Sequence, residues 1–365
     1  MLNFKVCELV SGKVLDEYPF RIEGDLTRLL QAYGEGTLAL PLFDAEGDLV
    51  SDTWEQAILP WRTLIVVTDD LDRILWHGIP QKRGRQASSY VRFPCRTIEA
   101  YLIDRYVPDL VFKRADQTSG IFRALVEVAG REIGLEYDCP PSGVLRDREY
   151  LASENARVYD RVNDLAAVID GFNWTIELSW GDEDHTFVRK TVRTGYPYLG
   201  NRDDNPAHYF ELGQNITDFD YDDDWTTGNS ATHVQGVGDT DDSTEPPTRL
   251  LGTPVVDTLR ESQGWPRREY RETFSGVKDK PTIDRHTRAV AAQMFGGQNV
   301  LELTARNPGE GEEFTRLGDF TLGDTAHAVI DHPALTLDAV LPVVGWSLTP
   351  NTGIYKPVLA QIGAQ

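Results

Sequence analysis

Paired cysteines are missing from this chain. Its three cysteines, Cys7, Cys95 and Cys139, stand far apart and form neither a disulfide framework nor a metal-ligand spacing. That usage fits a protein made in a reducing compartment, where such residues serve as small buried apolar side chains. Long apolar runs are also lacking: nothing approaches the roughly 18 residues of a membrane-spanning helix. The amino end, MLNFKVCELVSGK, has no basic region followed by an apolar stretch, so neither membrane insertion nor export by a signal peptide is expected. Positive charge is scarce, with 36 Lys and Arg against 58 Asp and Glu and a formal net charge of −22. Affinity for nucleic acid depends on Lys and Arg displacing counterions, which argues against specific nucleic-acid binding.

Recognisable chemistry is absent as well. The seven histidines, His77, His185, His208, His233, His286, His327 and His332, form no HExxH pair, and no GxSxG elbow or GxxxxGK[ST] loop occurs. Gly34-Glu35-Gly36-Thr37-Leu38-Ala39 resembles a dinucleotide fingerprint, but a strand follows it where a helix is required, so it reads as a turn whose glycines free the backbone for positive φ. A calcium loop beginning at Asp218, Asp220 and Asp222 would put Asp223 in the place of the loop glycine and Asn229 in the place of the bidentate Glu. Starting at Asp239 fails in the same way. No catalytic, cofactor-binding or metal-binding residue is predicted, although carboxylates that meet only in a folded cleft leave no motif. Asn173-Trp174-Thr175 matches a glycosylation triplet but falls inside the best strand of the chain.

What is present is a β-rich pattern with helical interludes. At 365 residues the chain exceeds one hydrophobic core. Residues 1–97 read as short strands (FKVCELV, PFRI, TLALPLF, TLIVVTD, ILWHGI and YVRFPC) separated by turns, a β-barrel-like domain. Across 98–195 the period changes. TIEAYLIDRY and SGIFRALVEVAGREI place apolar residues at helical intervals, with Ser119 as N-cap and Gly134 as left-handed stop. Val158, Val162, Leu165, Ala166 and Ile169 stripe a further helix that Gly171 closes. FNWTIELSW then alternates strictly and reads as a half-buried strand. Residues 196–345 form a second β-rich domain, with the strand ATHVQGV, an acidic loop over 239–247, and a helix opened by Pro281 whose face carries Ile283, Val290, Ala291 and Met294. NVLELTA and a Gly323-Asp324 turn resume the strand pattern before the segment 346–365.

The run TDDLDRILWHGIPQKRGRQASSYVRFPCRTIEAYLIDRYV carries Trp76-His77-Gly78-Ile79 on a strand, then a basic turn, a second strand and a helix from Ala100 to Tyr106. In this it resembles minor tail proteins of siphophages that infect actinobacteria, the tail-hub or baseplate-hub family. The helix-to-strand junction from Val158 to Trp174, the Asn229-Ser230-Ala231 lead into a strand and the Leu322-Gly323-Asp324 turn follow in the same order, and the acidic insert 239–247 departs from it.

The resemblance implies an α+β, β-rich fold: two β-barrel-like domains per subunit joined by α+β segments. It implies a structural virion protein and not an enzyme. Three subunits would close a ring through heterologous interfaces at the tail tip. Such a hub would bind the distal tail protein above, the tape-measure protein within and tail-tip or receptor-binding proteins below. DNA would pass through without specific binding, and acidic walls would keep phosphates from sticking, so some of Asp218, Asp220, Asp222, Asp223 and Asp224 are expected to face the lumen. Trp54, Trp61, Trp76 and Trp346 are candidates for the interfaces, against a reading of the same residues as core. Two rival readings are a tail-associated cell-wall hydrolase and a host carbohydrate-binding tip protein.

Overall fold

The computed structural model describes residues 2–44, 47–85, 89–241, 248–274, 277–308, 314–349 and 353–361. They form two compact units, 1–218 with 303–357, and 219–302 with 358–365. The architecture is α+β and β-rich, with two barrel-like sheets joined by α+β segments.

The first sheet of the larger unit orders its strands Val14–Glu17, Asn3–Glu8, Thr63–Thr68, Ile74–Pro80, Tyr90–Arg96, Glu35–Pro41 and Arg21–Glu23, with the short Gly84–Arg85 attached to Tyr90–Arg96. The curl gives a half-barrel. Thr63–Thr68 is buried at every position, as a central strand covered on both faces must be. Phe20 and Trp54 meet the Phe93 ring edge-on at 5.8 and 6.2 Å and fill one end of the core. Gly36 lies inside a strand, and neither it nor Gly34 has positive φ, contrary to the turn expected from sequence. The reason for glycine here is close approach: a Cβ on Gly36 would sit 2.4 Å from a Leu26 methyl, and one on Gly78 would sit 2.2 Å from the Trp76 indole.

Between the barrels, Asn173–Trp180 and Val188–Gly195 pair antiparallel, and Leu135–Asp138 joins the latter in parallel. The helices Arg123–Gly130 and Val158–Ala166 bury Leu125, Val126, Val158, Val162 and Leu165 in the core that Trp174 and Ile176 also enter. Several local expectations are corrected. Arg123–Gly130 belongs to a longer helical segment that begins with the π-helical turn Gln117–Phe122, and Asp116, not Ser119, caps that turn, accepting from Thr118 N and Ser119 N at 3.0 and 2.9 Å while its carboxylate also gathers Gly143 N at 2.7 Å. Gly134 does end that segment, at φ 66°. Ile98–Asp104 winds as a 3-10 helix. The helix before Gly171 stops at Ala166, and Asp170 takes the left-handed conformation at φ 56°. Asn173 and Thr175 are buried together with Trp174 and Ile176, so the first half of FNWTIELSW is covered on both faces. Cys7 and Cys95 are buried as expected; Cys139 is only partly so.

The second barrel-like sheet runs His208–Glu211, Thr325–His332, Leu335–Leu348, Ile354–Gln361, Gln298–Arg306, Ile216–Asp224, and Leu26–Leu29 also pairs with Leu335–Leu348. Within the larger unit a buried asparagine helps to close it. Asn215 accepts from Glu211 N at 2.9 Å and donates to Tyr209 O at 2.8 Å, supplying bonds that a neighbouring strand would otherwise make.

The smaller unit centres on His233–Asp241, flanked by Thr248–Leu251 and Val255–Val256 on one edge and by the parallel Glu269–Thr273 on the other. Helix Lys280–Met294, capped by Asp279 and started by Pro281, buries Ile283, Thr287 and Ala291 against it. Val290 and Met294 from the expected face are half-buried. Asp239 and Thr240 still belong to the strand, so the acidic loop begins later than the composition suggested. Its remainder, 242–247, lies outside the described residues.

Candidate functional site

The five candidate aspartates lie on the strand Ile216–Asp224, through which the chain leaves the larger unit at Asp218 and enters the smaller at Phe219. Alternation puts Asp218, Asp220, Asp222 and Asp224 on one face and Asp223 on the other with Phe219 and Tyr221. Asp218, Asp220, Asp222 and Asp223 are exposed. Asp224 is committed to its own turn: its carboxylate accepts from Thr226 N at 2.8 Å and Asn229 Nδ2 at 2.5 Å. Those bonds, with Thr226 first, hold its carboxyl below the usual range. Among the described residues no three His, Cys, Asp or Glu side chains gather as metal ligands.

Of the four tryptophans, Trp54, Trp76 and Trp346 are core residues, which removes them as interface candidates. Trp76 is fixed from within, its Nε1 donating to Thr27 O at 3.0 Å. Trp61 alone of the four presents an exposed face, at 37 % of its surface.

Two clusters in the fold carry no sequence motif. The first is a buried polar bolt in the larger unit made by Arg28, His77, Glu99 and Thr175. Arg28 Nη1 lies 2.9 Å from His77 Nδ1, and Nη2 donates to Thr175 Oγ1 at 3.3 Å and Ile176 O at 3.0 Å, with Glu99 Oε1 3.6 Å away. Ile176 N donates to the same Glu99 oxygen at 3.1 Å. A guanidinium only donates, so His77 Nδ1 must accept and the ring is neutral with its proton on Nε2. Burial and then the Arg28 charge push the His77 pKa well below its ordinary value. The bolt ties together Leu26–Leu29, Ile74–Pro80, the 3-10 turn at Ile98–Asp104 and Asn173–Trp180. Because Leu26–Leu29 pairs with Gly345–Leu348 of the second sheet, it fastens both barrels to the α+β segment.

The second cluster is on the smaller unit. The Trp225 and Trp265 rings lie 4.8 Å apart with the Arg260 guanidinium over both, at 4.8 and 5.7 Å, and Asp257 pins that arginine at 2.6 Å. Trp and Arg dominate binding hot spots, and Trp265 is partly exposed. The sequence signal was present as isolated Trp and Arg letters, but only the tertiary fold brings residues 225, 260 and 265 together.

A half-barrel, an intervening α+β segment with a buried charged bolt, and a second barrel-like sheet define a β-rich tail-hub-like fold. Solved structures share it over the whole chain. The 43 kDa tail protein of prophage MuSo2 from Shewanella oneidensis matches with a TM-score of 0.60 at 12% identity, over 99% of this chain and 98% of that one. The tail protein from Neisseria meningitidis MC58 gives 0.59 at 14% identity, over 98% and 96%. The prophage tail protein gp18 from Listeria monocytogenes EGD-e gives 0.52 at 10% identity, over 100% and 95%. No family model and no curated protein matches the sequence. At such identities the likeness is one of fold, and no residue role transfers with it.

Proposed function

We propose that this chain is a structural component of a phage tail: a homotrimeric hub at the tail tip of a siphovirus of the kind that infects actinobacteria, with no catalytic activity. The observation that carries the reading is end-to-end correspondence with a protein described as a tail protein, covering 99% of one chain and 98% of the other. A shared module grafted onto unrelated chains would leave long unmatched stretches.

In this reading the segments 1–97 and 196–345 supply two barrels per subunit, so three subunits offer six similar barrels to a sixfold tube, with 98–195 joining them. The hub meets the distal tail protein above, the tape-measure protein within, and tail-tip or receptor-binding proteins below. Some of Asp218, Asp220, Asp222, Asp223 and Asp224 line the DNA exit channel, where negative charge lowers friction with phosphates. Locating the protein in intact virions by cryo-electron microscopy tests this directly. Density at the tail tip with threefold order is expected; absence from the particle, or a basic channel with the aspartates outside, overturns it.

A further inference from the structure

Strands Leu110–Asp116 and Leu145–Tyr150 form a two-stranded sheet in which neither strand has another backbone partner among the described residues. One face of this ribbon packs down: Leu110, Phe112 and Ala115 rest on the core, and the Arg146 Nε donates to Gln117 Oε1 at 2.6 Å. The other face sets exposed apolar residues among charged ones. Val111 is 60% exposed, and Leu151, next along from Tyr150, is 41% exposed. Two-stranded sheets are marginal alone, and free edges with exposed apolar residues are templates for a further strand.

The charges on that outer face are sorted by strand. Lys113 and Arg114 are exposed on one, Asp147 and Glu149 on the other. Lys113 and Glu149 have no ion-pair partner among the described residues. A bulge sets Lys113 and Arg114 opposite Asp147, with Arg114 at φ 47° and its N–H donating to Asp147 Oδ1 at 2.6 Å. Charge on an edge strand normally repels a copy of itself. On the outward face the two strands differ in sign, with Arg146 and Arg148 of the second strand turned to the other face, so like strands repel there and unlike strands attract.

We propose that the ribbon is a docking edge for a second copy of this chain, the Leu110–Asp116 edge of one subunit adding to the Leu145–Tyr150 edge of the next. Side-chain alternation fixes a consistent register. An antiparallel addition that sets Lys113 against Glu149 of the neighbour also sets Val111 against its Leu151, so charge meets opposite charge and apolar meets apolar at successive outward positions. The contact is head-to-tail, the type that closes into rings. It rests on the oligomeric hub reading and gives it a location.

The test is sedimentation equilibrium on the full chain as wild type, Lys113→Glu, Glu149→Lys and the double swap. Each single reversal is expected to weaken wild-type assembly by ~10-fold or more, since like charges then face each other. The double swap should return to within about threefold, which a merely misfolded variant would not do. An assembled wild type indifferent to both reversals overturns the ribbon contact and leaves the hub reading standing. A wild type monomeric at every concentration overturns both.

Discussion

Replacing Arg28 by Met should destabilise the larger unit more than any single surface change. The guanidinium makes three short contacts, to His77 Nδ1, Thr175 Oγ1 and Ile176 O, and faces Glu99 at 3.6 Å. A methionine of similar length fills the volume but leaves Glu99 buried with a single backbone donor and His77 Nδ1 with none. Removing one partner of a buried ion pair costs about 3–5 kcal/mol, because the remaining charge is desolvated without compensation. Replacing all three by apolar residues of matching volume removes that penalty, so the triple variant Arg28→Met, His77→Leu, Glu99→Leu should lie within roughly 1–2 kcal/mol of wild type. Urea unfolding followed by tryptophan fluorescence reads this unit well, since Trp76 and Trp174 are fully buried in it. Adding Glu99→Gln to Arg28→Met should recover part of the loss. A single-variant loss under about 1 kcal/mol, or no recovery with Glu99→Gln, would refute the view that these residues act as one electrostatic unit.

Four further outcomes are expected. His77 is held neutral in the fold while its unfolded counterpart gains a proton below about pH 6.5, so stability should fall as pH drops from there, by up to about 1.4 kcal/mol per unit; urea curves of His77→Gln against wild type isolate that slope. Burial lowers the Lys190 pKa to about 8, and its Nζ donates to Leu9 O at 2.8 Å. The unfolded chain therefore binds the extra proton between about pH 8 and 10.4, and stability should rise with pH across that window in wild type relative to Lys190→Met, read from paired thermal melts. Gly78→Ala drives a methyl to 2.2 Å from the Trp76 indole and should cost about 1–3 kcal/mol or prevent folding, with a shifted Trp76 emission as its signature. Asn215→Ala leaves Glu211 N and Tyr209 O without their side-chain partner and should lower stability by about 1–3 kcal/mol, with faster amide exchange at Glu211.

Local pattern was enough for most of the elements. Alternation in NVLELTA placed Leu301, Leu303 and Ala305 inward, and they are buried in the strand Gln298–Arg306. Pro281 and the spacing after it located the helix Lys280–Met294, and Gly134 ended its helical segment in the left-handed conformation. The fold departs from the local pattern where a competing partner lies far away in sequence. Asp116 displaced Ser119 as the cap because Gly143 also binds it, and Thr175 was buried on the supposedly solvated face because Arg28 reaches it from 147 positions away.

By itself, then, the amino-acid order determined where most of the strands and helices lie and the acidity of the 218–224 strand, because those are properties of neighbouring residues. Tertiary structure alone decided that Arg28, His77 and Glu99 share one buried site, that Trp76 and Trp346 are core, and that the ribbon of Leu110–Asp116 and Leu145–Tyr150 pairs with no further strand among the described residues. Burial and pairing depend on which distant segments meet, and no periodicity within a short stretch encodes that.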